Sequence, residues 1–184
     1  VQIHPNLAEP ADGEHCDGGE CEAACCPGGI WVDLLHVQRI LAHSADIGPQ
    51  LAEPFRLRDD LWFEDEPLED ADFPSGIALP TRIAPRQANP TRTGCVFLRV
   101  DHLCALQVTS EELGLGWPGL KPLDCALYPL TIEAGTVLYD EATTAANPHA
   151  TCQRHKAGDP KRPRSAVFKT ELELALGRQS DRNR

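Results

Sequence analysis

His15-Cys16-Asp17-Gly18-Gly19-Glu20-Cys21-Glu22-Ala23-Ala24-Cys25-Cys26-Pro27-Gly28-Gly29 is the stretch on which the reading of this chain turns. Four thiols fall within eleven positions, as Cys16-x4-Cys21-x3-Cys25-Cys26, on a segment loosened by Gly18 and Gly19. Short separations let a loop wrap one ion with little loss of closure entropy. Thiolates are soft donors that select zinc, iron–sulfur clusters or cuprous copper. Binding converts each ligand from thiol to thiolate, so the metal also holds the folded state together. Cys25 and Cys26 are adjacent, and neighbours of this kind are expected to have difficulty turning to one tetrahedral ion. They would serve two neighbouring metals, or one would ligate while the other packs.

Beyond this knot the cysteines spread out as Cys95-x8-Cys104-x20-Cys125-x26-Cys152. The fold must bring them in, so a metal would tie the N-terminal knot to the later strands. Counting alone leaves two four-ligand sites or one polynuclear site open. His102 lies two residues before Cys104, and His149 and His155 flank Cys152; each reads as a surface residue before it reads as a ligand. Eight cysteines in 184 residues is about 4% of the chain, below the roughly 8–10% of disulfide scaffolds. No basic-then-apolar export pattern opens the sequence, so a reducing compartment is expected, where thiols bind metals or do chemistry. Four disulfides in a secreted protein are the competing reading, and one or two cysteines could simply be small buried hydrophobes.

Acidic residues outnumber basic ones 28 to 17, for a net charge of −11. That balance argues against nucleic-acid and anionic-membrane surfaces, both of which need clustered Lys and Arg. The longest apolar runs are far too short to span a bilayer. The expectation is a soluble, cytoplasmic protein whose ligand is a metal ion or cluster, with room for an unidentified protein partner. Apolar residues make up 41% and charged residues 24%, close to globular norms, so a packed core is expected.

Residues 1–14 read as a flexible arm, 15–177 as one cysteine-cluster metal-binding domain and 178–184 as a fraying tail. Asp33 can cap a helix in which Leu34, Val37, Ile40 and Leu41 share a face, ended by Gly48-Pro49. The run from Asp59 to Asp72 holds eight acids in 14 positions without the spacing of a calcium loop, so it reads as a solvated face. Short strands are expected over Ile77–Leu79, Arg82–Ala84, Cys95–Leu98 and Leu103–Gln107. Leu130–Glu133 and Thr136–Tyr139 flank Ala134-Gly135 as a hairpin. A last helix fits Ser165–Leu176, closed by Gly177. The fold class is therefore α+β: a small single domain with a Cys-rich N-terminal knot, short antiparallel strands and two or three helices around a metal site.

Several motifs occur in order: Cys16-x4-Cys21-x3-Cys25-Cys26, Gly94-Cys95-Val96-Phe97-Leu98, Cys104-Ala105-Leu106-Gln107 and Lys121-Pro122-x-x-Cys125-x-x-Tyr128-Pro129-Leu130. Together they resemble the bacterial cysteine-cluster family described as a zinc- or iron-chelating domain (YkgJ-like). The lead-in from Trp62-Phe63 to Asp72-Phe73-Pro74-Ser75-Gly76 and the late Cys152 resemble one branch of it, and the likeness spans Cys16 to Leu176. The resemblance implies a metal site drawn from Cys16, Cys21, Cys25, Cys26, Cys95, Cys104, Cys125 and Cys152. Many members space the first cluster as Cys-x2-Cys-x2-Cys-Cys, and Cys16 is where this chain departs most. A related branch includes the flagellin lysine N-methylase, which makes an enzyme the alternative to a binding protein.

Vicinal thiols and scattered ligands suit a polynuclear iron–sulfur centre, with redox or cluster-handling roles, somewhat better than paired zinc sites. With zinc and four protein ligands the role would be structural, because a closed site leaves no position for substrate. A third reading is an interaction module in which the acidic run binds a basic partner and zinc staples the fold. Gly114-x-Gly116-x-x-Gly119 has the letters of a dinucleotide loop, but Pro118 and Pro122 occupy the region where the helix should begin. Lys121 is read as a cation that offsets thiolate charge, not as a catalyst.

Overall fold

The structure, a computed structural model, describes residues 2–11, 22–146 and 162–182. In chain order the elements are β1 Gln2–Ile3, β2 Trp31–Asp33, α1 Leu34–Leu41, α2 Ser44–Ile47, β3 Leu68–Glu69, β4 Ile77–Pro80, β5 Ile83–Pro85 and β6 Thr93–Cys95. There follow α3 Ala105–Glu112, α4 Leu123–Leu127, β7 Leu130–Glu133, β8 Thr136–Tyr139, α5 Glu141–Ala146, α6 Arg164–Val167 and α7 Lys169–Arg182. This is a mixed α+β protein of short strands and short helices. Among the described residues only α1, α3 and α7 reach eight residues. Two compact units emerge, Cys25–Leu123 and the flanking segments Val1–Ala24 with Asp124–Arg184.

The central unit carries two small antiparallel sheets, β2-β4-β3 and β5-β6. Asp33 ends β2 and caps α1: Oδ1 accepts the Leu35 N–H at 2.9 Å, while Oδ2 accepts both the N–H and the hydroxyl of Ser75 at 2.8 Å. One carboxylate thus starts the helix and pins the turn before β4. Val37 and Ile40 of α1 are buried with Val32, Trp62, Phe63, Phe97, Leu106 and Leu120 in one apolar cluster. The Trp62 ring meets Phe97 edge-on at 5.5 Å, an arrangement favoured by the ring quadrupoles.

Two strand expectations fail here. Of Cys95–Leu98 only Cys95 is in a strand; the chain then turns, and Leu98 bridges back to Cys104. Leu103–Gln107 instead enters α3, with Cys104 as its N-cap. The buried face of α3 is Ala105, Leu106, Thr109 and Ser110, and the two polar residues mask the helical period. β4 and β5 lie close to their expected positions, β5 one residue later at Ile83.

In the flanking unit β7 and β8 form the expected hairpin around Ala134 and Gly135, both at positive φ, as a tight two-residue turn requires. Residues 2–11, read from sequence as part of an arm, carry β1, which adds to β8 in parallel, and a 3-10 turn over Pro5–Ala8 that buries Leu7. A two-residue strand has no period to read. Arg164 is buried beside this turn, its Nη1 on the Asn6 carbonyl, Glu9 and Glu141, with its guanidinium 4.1 Å from the Tyr139 ring centre. The last helix starts at Lys169 and continues through Gly177 to Arg182, so Gly177 is tolerated inside it at about 1 kcal/mol and does not close it. Among the described residues no helix is long and apolar enough to cross a membrane.

Candidate functional site

Cys25, Cys26, Cys95 and Cys104 all belong to the central unit. The Cys95 N–H donates to the Cys26 carbonyl at 2.9 Å, which ties Cys26 to β6. Three residues along, Leu98 N–H returns to the Cys95 carbonyl at 2.9 Å, and Ala105 N–H reaches the Phe97 carbonyl at 2.8 Å. The turn after β6 therefore delivers Cys104 to the start of α3 beside Cys95. Burial pushes the Cys95 thiol up, and the nearby Cys104 and Cys25 add to that shift.

Thr81 organises this region. It is buried, and its Oγ1 accepts the Ile30 N–H at 3.0 Å and lies 3.5 Å from the Cys95 sulfur. Its N–H donates to the Ile30 carbonyl at 2.8 Å, so main chain and side chain together hold the backbone at Ile30. Gly29, between Cys26 and Ile30, sits at φ +64, and a Cβ there would stand 2.7 Å from both Thr81 Oγ1 and Ile83 Cδ1. Only glycine fits that approach and that backbone.

Cys25 is exposed and Cys26 half-buried, with their sulfurs 3.9 Å apart. The edge of a tetrahedron with metal–sulfur bonds of 2.3 Å is about 3.8 Å long. The observed sulfur separation is close to that edge length. Hydrogen bonding from Cys26 holds the Cys25 thiol down to about 7, against an opposing desolvation, with help from the positive charges of Lys121 and Arg86. Desolvation dominates at Cys95 and pushes its thiol up to about 11.

The two cations are themselves fixed. Lys121 Nζ donates to Gln107 Oε1 at 2.9 Å and lies 5.1 Å from the centre of the Trp117 ring. Arg86 is buried, its Nε donating to the Thr93 carbonyl at 3.0 Å. A Cβ at Gly94 would approach that Nε to 3.1 Å, so the missing side chain lets the guanidinium lie across β6. The expectation that Lys121 acts through its charge agrees with this placement. Thr81 and Arg86 are parts of the site that sequence reasoning missed; neither carries a metal-ligand signature.

Cys125 lies in α4 in the flanking unit, half-buried. Cys16, Cys21 and Cys152, with His149 and His155, lie outside the described residues. None of the five described cysteines is in a disulfide. His102 sits at φ +66 with its Nδ1 buried and lacking a hydrogen-bond partner. Among the described residues no three His, Cys, Asp or Glu side chains stand close enough together to hold one ion. The Gly114–Gly119 segment follows a helix, not a strand, which agrees with its rejection as a dinucleotide loop.

Asp59, Asp60, Glu64 and Asp65 rim a groove of about 280 Å³ floored by Val37, Leu41, Phe63, Pro67 and Leu79. Asp60 is paired with Arg58 at 2.7 Å and Glu64 with Arg82 at 3.2 Å. No family model, curated protein or solved structure matches this chain.

Proposed function

We propose that this is a metal-binding protein whose centre, an iron–sulfur cluster or zinc, is held by cysteine thiolates. Cys25, Cys26, Cys95 and Cys104 are its donors in the central unit. The observation that carries the reading is the 3.9 Å spacing of the Cys25 and Cys26 sulfurs, matched to one tetrahedral ion. The main-chain tie from Cys26 to Cys95 supports it. Tetrahedral sulfur coordination belongs to zinc and to iron–sulfur centres alike. Binding asks the side chains of Cys95 and Cys104 to turn toward the pair. Lys121 and Arg86 offset the charge of the thiolates and lower the cost of holding several of them together.

The test is purification without oxygen followed by elemental analysis and an optical spectrum. Stoichiometric iron with a visible charge-transfer band identifies a cluster; stoichiometric zinc in a colourless protein identifies a structural ion. Cys25→Ser and Cys104→Ser should each lower metal content and melting temperature together, because lost ligation is lost folding free energy. Cys125→Ser reads whether the flanking unit contributes. Full occupancy and unaltered melting in the first two variants would count decisively against this reading.

The acid-rimmed groove favours a second reading, a docking module for a basic partner, with the metal as a staple. Reversing Asp59 and Asp65 to Lys should weaken such a partner and leave metal content unchanged.

A further inference from the structure

The acid-rimmed groove lies within the central unit, between α1 and the chain from Asp59 to Pro67. Val37 and Leu41, one turn apart on α1, line its floor together with Phe63, Pro67 and, from β4, Leu79. Leu41 and Leu79 are only half-buried, so apolar surface stays open to water there. A large apolar side chain laid on it removes that surface from water.

The wall opposite α1 is fixed on both sides of the groove. Phe63 bridges to Thr81, the Glu64 N–H donates to the Pro80 carbonyl at 2.9 Å, and Arg82 Nε donates to the Leu61 carbonyl at 2.7 Å. Beyond Pro67, Leu68 and Glu69 pair with β4. A groove formed in advance costs its ligand little in ordering the protein.

Charge selects what enters. From Asp59 to Asp72 the chain has eight acids and no Lys or Arg. Asp60 is paired with Arg58 and Glu64 with Arg82, whereas Asp59 and Asp65 are exposed and have no ion pair among the described residues. That field repels the phosphates of nucleic acid and anionic lipid, and the net charge of −11 repels a second copy of the chain. At about 280 Å³ the groove falls below the roughly 300–1,000 Å³ of sites that enclose a drug-sized molecule. Its size suits one large side chain of an otherwise exposed segment.

We propose that the groove docks a short peptide segment in which one large aliphatic or aromatic side chain is flanked by Lys or Arg. This rests on the docking reading above and names the chemistry of its partner. The apolar side chain supplies most of the affinity, because an exposed ion pair changes binding by no more than about fivefold. The basic flanks supply orientation and choice of partner.

The test titrates the full, isotope-labelled chain with three capped peptides while its backbone amide NMR signals are followed. The peptides are Lys-Arg-Ser-Leu-Ser-Arg-Lys, the same sequence with Ala in place of Leu, and Glu-Glu-Ser-Leu-Ser-Glu-Glu. The first should shift the amides of Val37, Leu41, Glu64, Asp65 and Leu79 with a Kd below about 1 mM. The Ala peptide should bind at least about tenfold more weakly, and the acidic one should leave these amides unmoved. Asp59→Asn combined with Asp65→Asn, both at the surface, should weaken the Leu peptide by about 2- to 20-fold. Equal binding of the Leu and Ala peptides at these amides overturns the anchored groove and leaves the docking of basic partners standing. No shift with either basic peptide overturns both. Shifts confined to other parts of the chain, binding of the acidic peptide, or an unchanged affinity in the double variant overturn the assignment. Shifts of the same amides with protein concentration alone would put a second copy in the groove and overturn it as well.

Discussion

The backbone N–H of Cys95 donates to the carbonyl oxygen of Cys26 at 2.9 Å, joining residues 69 positions apart at the level of the main chain. Side-chain substitution at either cysteine leaves that bond in place. Under the proposed metal-binding reading, a lower metal content in a Cys→Ser variant would therefore report on sulfur and not on collapse of the loop.

Thr81 gives the sharpest test of how the site is held. Thr81→Val keeps the shape and removes the hydroxyl, leaving the Ile30 N–H without its acceptor. An unsatisfied buried donor costs about 1–3 kcal/mol, so the urea midpoint should fall accordingly with an unchanged slope. The Cys95 sulfur loses its hydroxyl neighbour in the same variant, and its reactivity toward a thiol reagent should change. A midpoint equal to wild type would show that the Thr81 bonds do not stabilise the fold.

Gly29→Ala probes the close approach of the chain to Thr81 and Ile83. The new Cβ meets Thr81 Oγ1 and Ile83 Cδ1 at 2.7 Å, on a backbone at φ +64 that L residues rarely adopt. The expected loss is about 1–3 kcal/mol, read as a lower melting temperature. Gly28→Ala is the control: with open space around it, it should melt close to wild type.

How much of this was legible beforehand depends on period and spacing. Asp33 as a cap and the 130–139 hairpin could be read because each has a strong local signal: a capping carboxylate before an apolar face, and two alternating runs around Ala134-Gly135. α3 could not, because Thr109 and Ser110 face inward. Ser110 Oγ bonds the Leu106 carbonyl at 2.5 Å and accepts the Leu120 N–H at 2.7 Å, so a polar residue does a core task that periodicity cannot anticipate. β1 was invisible for a different reason, since two residues pairing with a strand 134 positions later leave no local trace. Thr81 and Arg86 act on Cys95 and Cys25 through contacts set by tertiary structure, which no local spacing signals.

Arg164 ties the start of the chain to its last helices within the flanking unit. Its side chain is 10% exposed, while Glu9 and Glu141 are 58% and 62% exposed, so the carboxylates can rehydrate if the guanidinium is removed. Arg164→Met should therefore cost about 1–3 kcal/mol, mostly through the lost Tyr139 contact and the freed Asn6 carbonyl, and not the larger penalty of a stranded buried charge. Limited proteolysis should cut earlier within residues 1–11 in the variant. An unchanged cleavage rate would mean that β1 pairing alone secures that segment.

Two thiols shifted in opposite directions predict a pH profile for the protein in the presence of a chelator. Cys25 is held down to about 7 by the Cys26 hydrogen bond, so its stabilising contribution is complete above the ordinary thiol value of 9.0 and lost as pH falls through 7. Cys95 is pushed up to about 11 by burial, so its contribution is complete below 9.0 and lost as pH rises toward 11. Their combined contribution is greatest near pH 9. Differencing the melting temperatures of wild type and Cys25→Ser across pH 6–10 should show a gap that opens on the alkaline side. The same difference for Cys95→Ser should close there. Iodoacetamide should alkylate Cys25 with a midpoint near pH 7, moved upward by Lys121→Gln or Cys26→Ala. A Cys25 midpoint at the ordinary thiol value would show that neither the neighbouring thiol nor the cations act on its sulfur.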